Sequence, residues 1–253
     1  MDFIKKTIYY ILGGLLYLRF TRNIRLDEIF RDKRVAIIGA ADSAYQSELG
    51  DFIDQFDVII RINKAPHVIK ENKHTDKIGR KTDVLYHSFF ENEKFGGGKL
   101  DFDLYDQIGI EYVINPISNS FGDRNIFNFY KKYLAKRMVY KVPRTQFQDN
   151  VLNFGKFRPT IGYLALCYCL EADFKELYIS GFTFFRTNYG KDYRKELETA
   201  EQVRKTMREM QIHDPDLEFE EFMKRYNQNI HKHIIIDDTL KSIIKDYTRK
   251  LSK

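Results

Sequence analysis

From Lys33 onward, short apolar runs alternate with longer amphipathic stretches. Val35-Ala36-Ile37-Ile38 is continuously apolar, rich in β-branched side chains and closed by Gly39, the pattern of a strand covered on both faces. Asp57-Val58-Ile59-Ile60-Arg61 and Thr82-Asp83-Val84-Leu85-Tyr86 read as the next strands, and Glu111-Tyr112-Val113-Ile114 as a fourth, stopped by Asn115-Pro116. Residues 162–171 form an apolar helix, Glu176–Ser180 a strand ended by Gly181, and residues 233–236 a last strand. Ser43, with Gln46 three positions later, has capping-box spacing and predicts a helix start. Charged amphipathic helices are predicted over residues 193–210 and 218–227, and a basic terminal helix from Thr239. Repeated strand–helix units with buried strands predict an α/β fold with a mostly parallel sheet flanked by helices. No internal repeat, low-complexity linker or second-domain boundary interrupts residues 31–253, which read as one domain.

Residues 1–30 differ from the rest. Residues 7–18 are apolar, preceded by Lys5 and Lys6 and followed by Arg19, Arg22 and Arg25. A membrane-crossing helix needs roughly 20 apolar residues, more than this run supplies. No small-residue cleavage site of a signal peptide follows it. Two readings fit. Residues 3–25 lie in the interface of an anionic membrane with their basic side chains among the headgroups, or they form a helix packed on the main domain. The pair Gly13-Gly14 weakens a continuous helix in either case.

Composition changes this picture little. Apolar and charged fractions of 43% and 31% are ordinary for a globular chain, and 21 Phe with 17 Tyr favour a packed core. The formal charge of +6 suits an anionic partner without choosing among sugar nucleotide, acidic glycan, membrane and nucleic acid. Cys167 and Cys169 are the only cysteines. Two positions apart in a helix they point to different faces, so no disulfide joins them, as in a reducing cytosol.

Four segments carry candidate chemistry. The turn Gly39-Ala40-Ala41-Asp42-Ser43 puts small residues before a helix start, where backbone N–H groups can meet an anion. It has one glycine, not the three of a dinucleotide fingerprint, so taken alone it reads first as a tight connection, and it disfavours a dehydrogenase. Arg61-Ile62-Asn63-Lys64-Ala65-Pro66 lies at the carboxyl end of a strand, where open α/β sheets bind ligands, and the Asn63 amide can both donate and accept. Arg158-Pro159-Thr160-Ile161-Gly162 precedes the apolar helix, a second N-terminus able to receive phosphate or carboxylate. His213-Asp214-Pro215-Asp216-Leu217-Glu218 places a histidine before a helix; a general base is one reading, with the nearby carboxylates raising its pKa and orienting the ring. His-x4-Glu is not the H-E-x-x-H spacing of a zinc site, so no metal is expected.

In order and spacing these segments resemble the sialylmotifs of the glycosyltransferase family 29 sialyltransferases. The large motif resembles Val35 to Gly39, then Gly50, Asp54, Asp57, RINKAP and residues 78–83; the small motif resembles residues 159–182; the very small motif resembles residues 213–218. The resemblance implies a GT-A-like variant fold with one Rossmann-type sheet, an inverting reaction without a divalent metal or other cofactor, and a CMP-sugar donor. The donor sugar would be sialic acid or a relative such as Kdo or another nonulosonate, and the acceptor a glycan or glycolipid hydroxyl. It implies His213 as the base, Glu218 as its structural support, and Gly39 to Ser43, Arg61, Asn63, Lys64, Thr160, Ile161, Gly162 and Phe182 around the donor. Ala40 and Ala41 stand where family members usually have Asn and Ser, and Ile161 where they have Thr. The histidine of a further motif, between the small and very small ones, is absent, with Tyr189 or Tyr193 in that region. The expected setting is the cytoplasmic side of an inner membrane, in capsule or lipooligosaccharide synthesis. The positive charge leaves one alternative, a non-catalytic nucleotide- or nucleic-acid-binding α/β protein; the transferase reading involves no nucleic acid.

Overall fold

The structure, a computed structural model, describes residues 3–70, 73–92, 97–190, 193 and 199–251. Its strands are β1 (Thr21–Asn23), β2 (Arg34–Ile38), β3 (Val58–Ile62), β4 (Val84–Tyr86), β5 (Tyr112–Asn115), β6 (Val139–Lys141), β7 (Glu176–Ser180) and β8 (Ile234–Ile236). They form one sheet in the order β1-β6-β5-β4-β3-β2-β7-β8, with every neighbouring pair parallel. The first half of the chain holds helices α1 (Phe3–Phe20), α2 (Asp27–Phe30), α3 (Gly50–Ile53), α4 (Ala65–Lys70), α5 (Thr75–Ile78) and α6 (Phe102–Gln107). The second half adds α7 (Ser120–Tyr133), α8 (Arg144–Val151), α9 (Ile161–Glu171), α10 (Ala200–Met210), α11 (Pro215–Gln228) and α12 (Asp238–Leu251).

The apolar runs become buried strands for the expected reason. Val35, Ile37 and Ile60 face one core, shared with α9 and α11, while Ala36, Ile38 and Ile59 face another. α9 is apolar all round because it is enclosed all round: Leu164 through Leu170 have no accessible surface. Cys167 and Cys169 are free thiols in this helix, and burial pushes both above the ordinary thiol range.

Several expectations are corrected. β1 and β6 went unpredicted because Thr-Arg-Asn and Val-Tyr-Lys are too short and mixed to show a period; backbone pairing, Thr21 to Val139 and Ile114 to Tyr140, makes them strands. Within residues 1–30, Ile24, Leu26, Ile29 and Phe30 belong to the main core, and Leu16, Tyr17 and Phe20 pack against a third apolar cluster. The predicted helix at Ser43 is a 3₁₀ turn over Asp42–Tyr45 without a side-chain cap. The Ser43 hydroxyl donates instead to Asp237 at 3.2 Å. α11 starts at Pro215, capped by Asp214, three residues before the expected start. Residues 194–198 of the helix predicted over 193–210 lie outside the described residues, and α10 begins at Ala200.

α1 runs unbroken through Gly13-Gly14 because the pair is used for packing. Gly13 is buried against α7, and a Cβ there would sit 2.8 Å from the Lys131 Cα. Tyr17 donates to Asp123 at 2.9 Å, and the rings of Tyr10 and Phe127 meet at 4.8 Å. Gly13→Leu should lever α1 off α7, destabilising the fold by about 1–3 kcal/mol. Limited proteolysis would then cleave within residues 3–20 first; a digestion pattern like that of the parent would show that α1 is not seated there.

Candidate active site

Strand order places β3 to β6 on one side of β2 and β7 with β8 on the other. Loops leaving β2 and β7 therefore part toward opposite faces and open a crevice at the carboxyl ends, the ligand position of open α/β sheets. Gly39 and Gly181 follow these strands and touch: a Cβ on Gly39 would fall 2.2 Å from the Gly181 carbonyl oxygen. Gly181 itself has φ +78, a conformation that side chains resist. The crevice widens into a cavity of about 530 Å³.

The ends of several strands and helices meet in its wall. Gly39, Ala40 and Ala41 come from the β2 loop, Asn63 from the end of β3, and Thr160, Ile161 and Gly162 from the start of α9. Phe182 follows β7, Glu218 comes from the first turn of α11, and His213 from the segment just before it. Thr160 caps α9 by accepting the Tyr163 N–H at 3.2 Å, so the eleven-residue helix directs the positive end of its dipole at the cavity. Tyr189 and Tyr193 also line it, their rings stacked at 5.6 Å, and the Tyr193 hydroxyl donates to the Ile62 carbonyl.

The main chain at Arg158 meets the His213 ring. Its Nδ1 lies 2.5 Å from the Arg158 carbonyl oxygen. A carbonyl only accepts, so Nδ1 carries a proton, and whenever the ring is neutral Nε2 holds the lone pair. Asp214 is occupied in capping α11, and Asp216 pairs with Arg186 and Arg204. The Arg158 N–H donates to the Ile212 carbonyl at 2.8 Å, so the two segments are zipped together. The Arg158 guanidinium lies 5.2 Å over the Phe121 ring.

Glu218 is 1% exposed and grips the start of α9. Thr160 donates its N–H to one carboxyl oxygen at 2.7 Å and its hydroxyl to the other at 2.8 Å. Burial raises this carboxyl to about 8, a shift that the two Thr160 bonds reduce and the Asp214 charge increases.

Four expected donor contacts lie away from the cavity wall. Arg61 is 1% exposed and serves the fold: its guanidinium donates to the carbonyls of Ile78, Gly79 and Lys81 and to the Thr82 hydroxyl. Burial lowers its pKa to about 10, leaving it charged at neutral pH. Side chains alternate along a strand, which turns Arg61 toward α5. Lys64 packs along Gly98, Asp42 is tied through its N–H to the Asn188 carbonyl, and Ser43 faces β8. Conversely, Ser88, Asn119 and Asn188 line the cavity and were missed. Ser88 and Asn119 follow β4 and β5, so the strand-end rule that found Asn63 was able to find them.

Residues 27–103 match the family model of glycosyltransferase family 29 (sialyltransferase). Thirty-four chains of solved structures match the fold. One is a mammalian sialyltransferase in complex with Gal-beta-1-3GalNAc-ortho-nitrophenol, 15% identical over 93% of this chain and 86% of that one, with a TM-score of 0.52. Another is the sialyltransferase CstII from Campylobacter jejuni in complex with a substrate analogue, CMP-3FNeuAc, 12% identical over 81% of each chain, with a TM-score of 0.50. A Cst-II variant in complex with CMP is 14% identical over 81% of each chain, with a TM-score of 0.51. Comparison with curated proteins gives no match. The structural likeness is one of fold, as the resemblance implied.

Glu218 has a consequence for stability against pH. Its carboxyl titrates near 4.5 in the unfolded chain and about 8 in the folded one. Between those values the unfolded chain has released a proton that the folded protein keeps, so this contribution is full below about 4.5 and lost as pH rises through 8. Thermal melts from pH 5 to 8 should slope downward in the parent and flatten in Glu218→Gln. Glu218→Ala should cost about 1–3 kcal/mol by leaving the Thr160 N–H without its acceptor. A parent and glutamine variant with the same pH slope would mean that Glu218 is ionised throughout.

Proposed function

We propose that this chain, which carries the family 29 signature over residues 27–103 on a sialyltransferase fold, transfers sialic acid or a related acidic 2-keto sugar such as Kdo from a CMP-linked donor to a glycan hydroxyl. One observation carries the reading: His213, with Nδ1 engaged by a carbonyl, lines the same cavity as Asn63 and the N-terminus of α9. The acceptor oxygen attacks the anomeric carbon as CMP departs, through a transition state with oxocarbenium character, and configuration inverts. Nε2 of His213 takes the acceptor proton, an effect worth about 10²–10⁴-fold. Charge gathering on the leaving phosphate is met by the first N–H groups of α9 and the Asn63 amide. Fixed dipoles of this kind suffice in principle, so the reading calls for no divalent metal. Ala40 and Ala41 supply backbone and methyl groups only to the nucleotide end. His213→Ala should bind CMP nearly as the parent does while transfer falls at least ~100-fold. Retained transfer would remove His213 from the chemistry, and salt-sensitive RNA binding in place of CMP binding would favour a non-catalytic nucleic-acid protein. CMP release measured separately with CMP-Neu5Ac and CMP-Kdo would identify the sugar.

We further propose that α1 carries this enzyme to an anionic membrane surface. Ile4, Ile8, Ile11, Leu15 and Leu18 fall on one stripe of the helix and are exposed, opposite the face that holds Gly13 and Tyr17 against α7. Lys5, Lys6, Arg19, Arg22 and Arg25 flank this stripe, and residues 3–26 contain no acidic side chain. Among the described residues no helix is long and apolar enough to cross a membrane. Packing and membrane contact are thus properties of two different faces. The parent should sediment with vesicles containing phosphatidylglycerol and less with pure phosphatidylcholine; Ile8→Glu with Ile11→Glu should abolish both. Equal sedimentation of parent and variant would end this reading.

A further inference from the structure

Asn63 closes β3 in the left-handed region, at φ +50. Its Oδ1 accepts the Ser88 N–H at 3.3 Å, which leaves the NH₂ of the same amide as the group able to donate to a ligand. Ser88 is itself held, its Oγ accepting the N–H groups of Phe90 at 3.2 Å and Gly97 at 3.1 Å. His87, fully buried behind it, completes the ring: Nδ1 accepts the Phe89 N–H and Nε2 donates to the Gly97 carbonyl, each at 2.9 Å. Burial lowers the His87 imidazole to about 4, so one donor and one acceptor nitrogen persist at neutral pH. Gly97 has no room for a side chain. A Cβ there would fall 2.5 Å from His87 Nε2 and 2.8 Å from Asn63 Oδ1. Its φ lies outside the left-handed region, so the demand is for space and not for backbone freedom.

We propose that Gly97 and His87 are positioning residues for nucleotide binding: the Gly97 backbone, hung from His87, is wedged against the Asn63 amide and sets where its NH₂ meets the donor phosphate. The ligand in this statement rests on the transferase reading; the wedge does not. None of the motif segments contains either residue, and neither lines the cavity.

Two measurements test it. In the CMP-free protein, the side-chain amide resonances of Asn63, identified by their loss in Asn63→Ala, should move in Gly97→Ala; unmoved resonances overturn the proposal whatever the ligand. For CMP affinity, Gly97→Ala and Asn63→Ala should each weaken binding about ten-fold, the scale of one lost hydrogen bond. The double variant should be no weaker than Asn63→Ala alone, because both act through one amide. Losses that multiply would make Gly97 a general structural residue and overturn the proposal. His87→Gln, which can still donate to the Gly97 carbonyl, should keep more affinity than His87→Leu; equal losses would remove His87 from it. A parent protein that fails to bind CMP would sink the transferase reading, and the resonance measurement would still decide the wedge.

Discussion

The closeness of β2 and β7 at their carboxyl ends is the constraint on which the rest depends. Gly39 and Gly181 face each other so tightly that a methyl group on Gly39 would overlap carbonyl oxygen. Past the glycines the loops continue to pair: the Ala41 N–H reaches the Gly181 carbonyl at 3.0 Å, and the Gly190 N–H reaches Ala40 at 2.7 Å. An isolated antiparallel bridge joins Ala41 to Tyr189. The two loops therefore part late, carrying small residues on one side and aromatic ones on the other. Without that approach the crevice would begin at the strands themselves and have no floor.

On this floor His213 and the start of α9 are held by a second, polar arrangement. Arg158 and Thr160 are tied to the segment that contains His213 and Glu218 by both main chain and side chain. This explains the spacing of histidine and glutamate. Asp214 and Pro215 start α11, one turn carries Glu218 inward to grip Thr160, and His213 remains outside the helix, against the Arg158 carbonyl. The imidazole and the N-terminus of α9 thus belong to one unit, and displacing either would strain the other. Preorganisation of this kind is what lets fixed dipoles stabilise developing charge.

The wall is otherwise sparing with charge. Among its described residues Arg158 and His213 are the basic ones, and the abundant lysines lie elsewhere. Arg61, buried and charged, illustrates a different use of a cation: four oxygen acceptors from residues 78–82 converge on it, fixing the segment that enters β4. A guanidinium suits that task because its planar fork reaches several acceptors at once.

What the sequence determined by itself is whatever rests on local period and order. The strands β2, β3, β4, β5, β7 and β8, the enclosed helix α9, and the grouping of Asn63, Thr160 and His213 in one crevice were legible from apolar runs, strand ends and motif order. Only the tertiary structure decided matters that depend on residues distant in the chain. Edge strand β1 and its neighbour β6 exist because adjacent strands pair with them. Arg61 turned out to be structural because carbonyl groups some twenty residues away converge on it. The Ser43 hydroxyl is engaged by Asp237 and caps no helix, and the His213 ring meets the Arg158 carbonyl. Periodicity reports which face of an element meets the core, whereas the partner of a polar atom is set by three-dimensional proximity, which one-dimensional spacing does not encode.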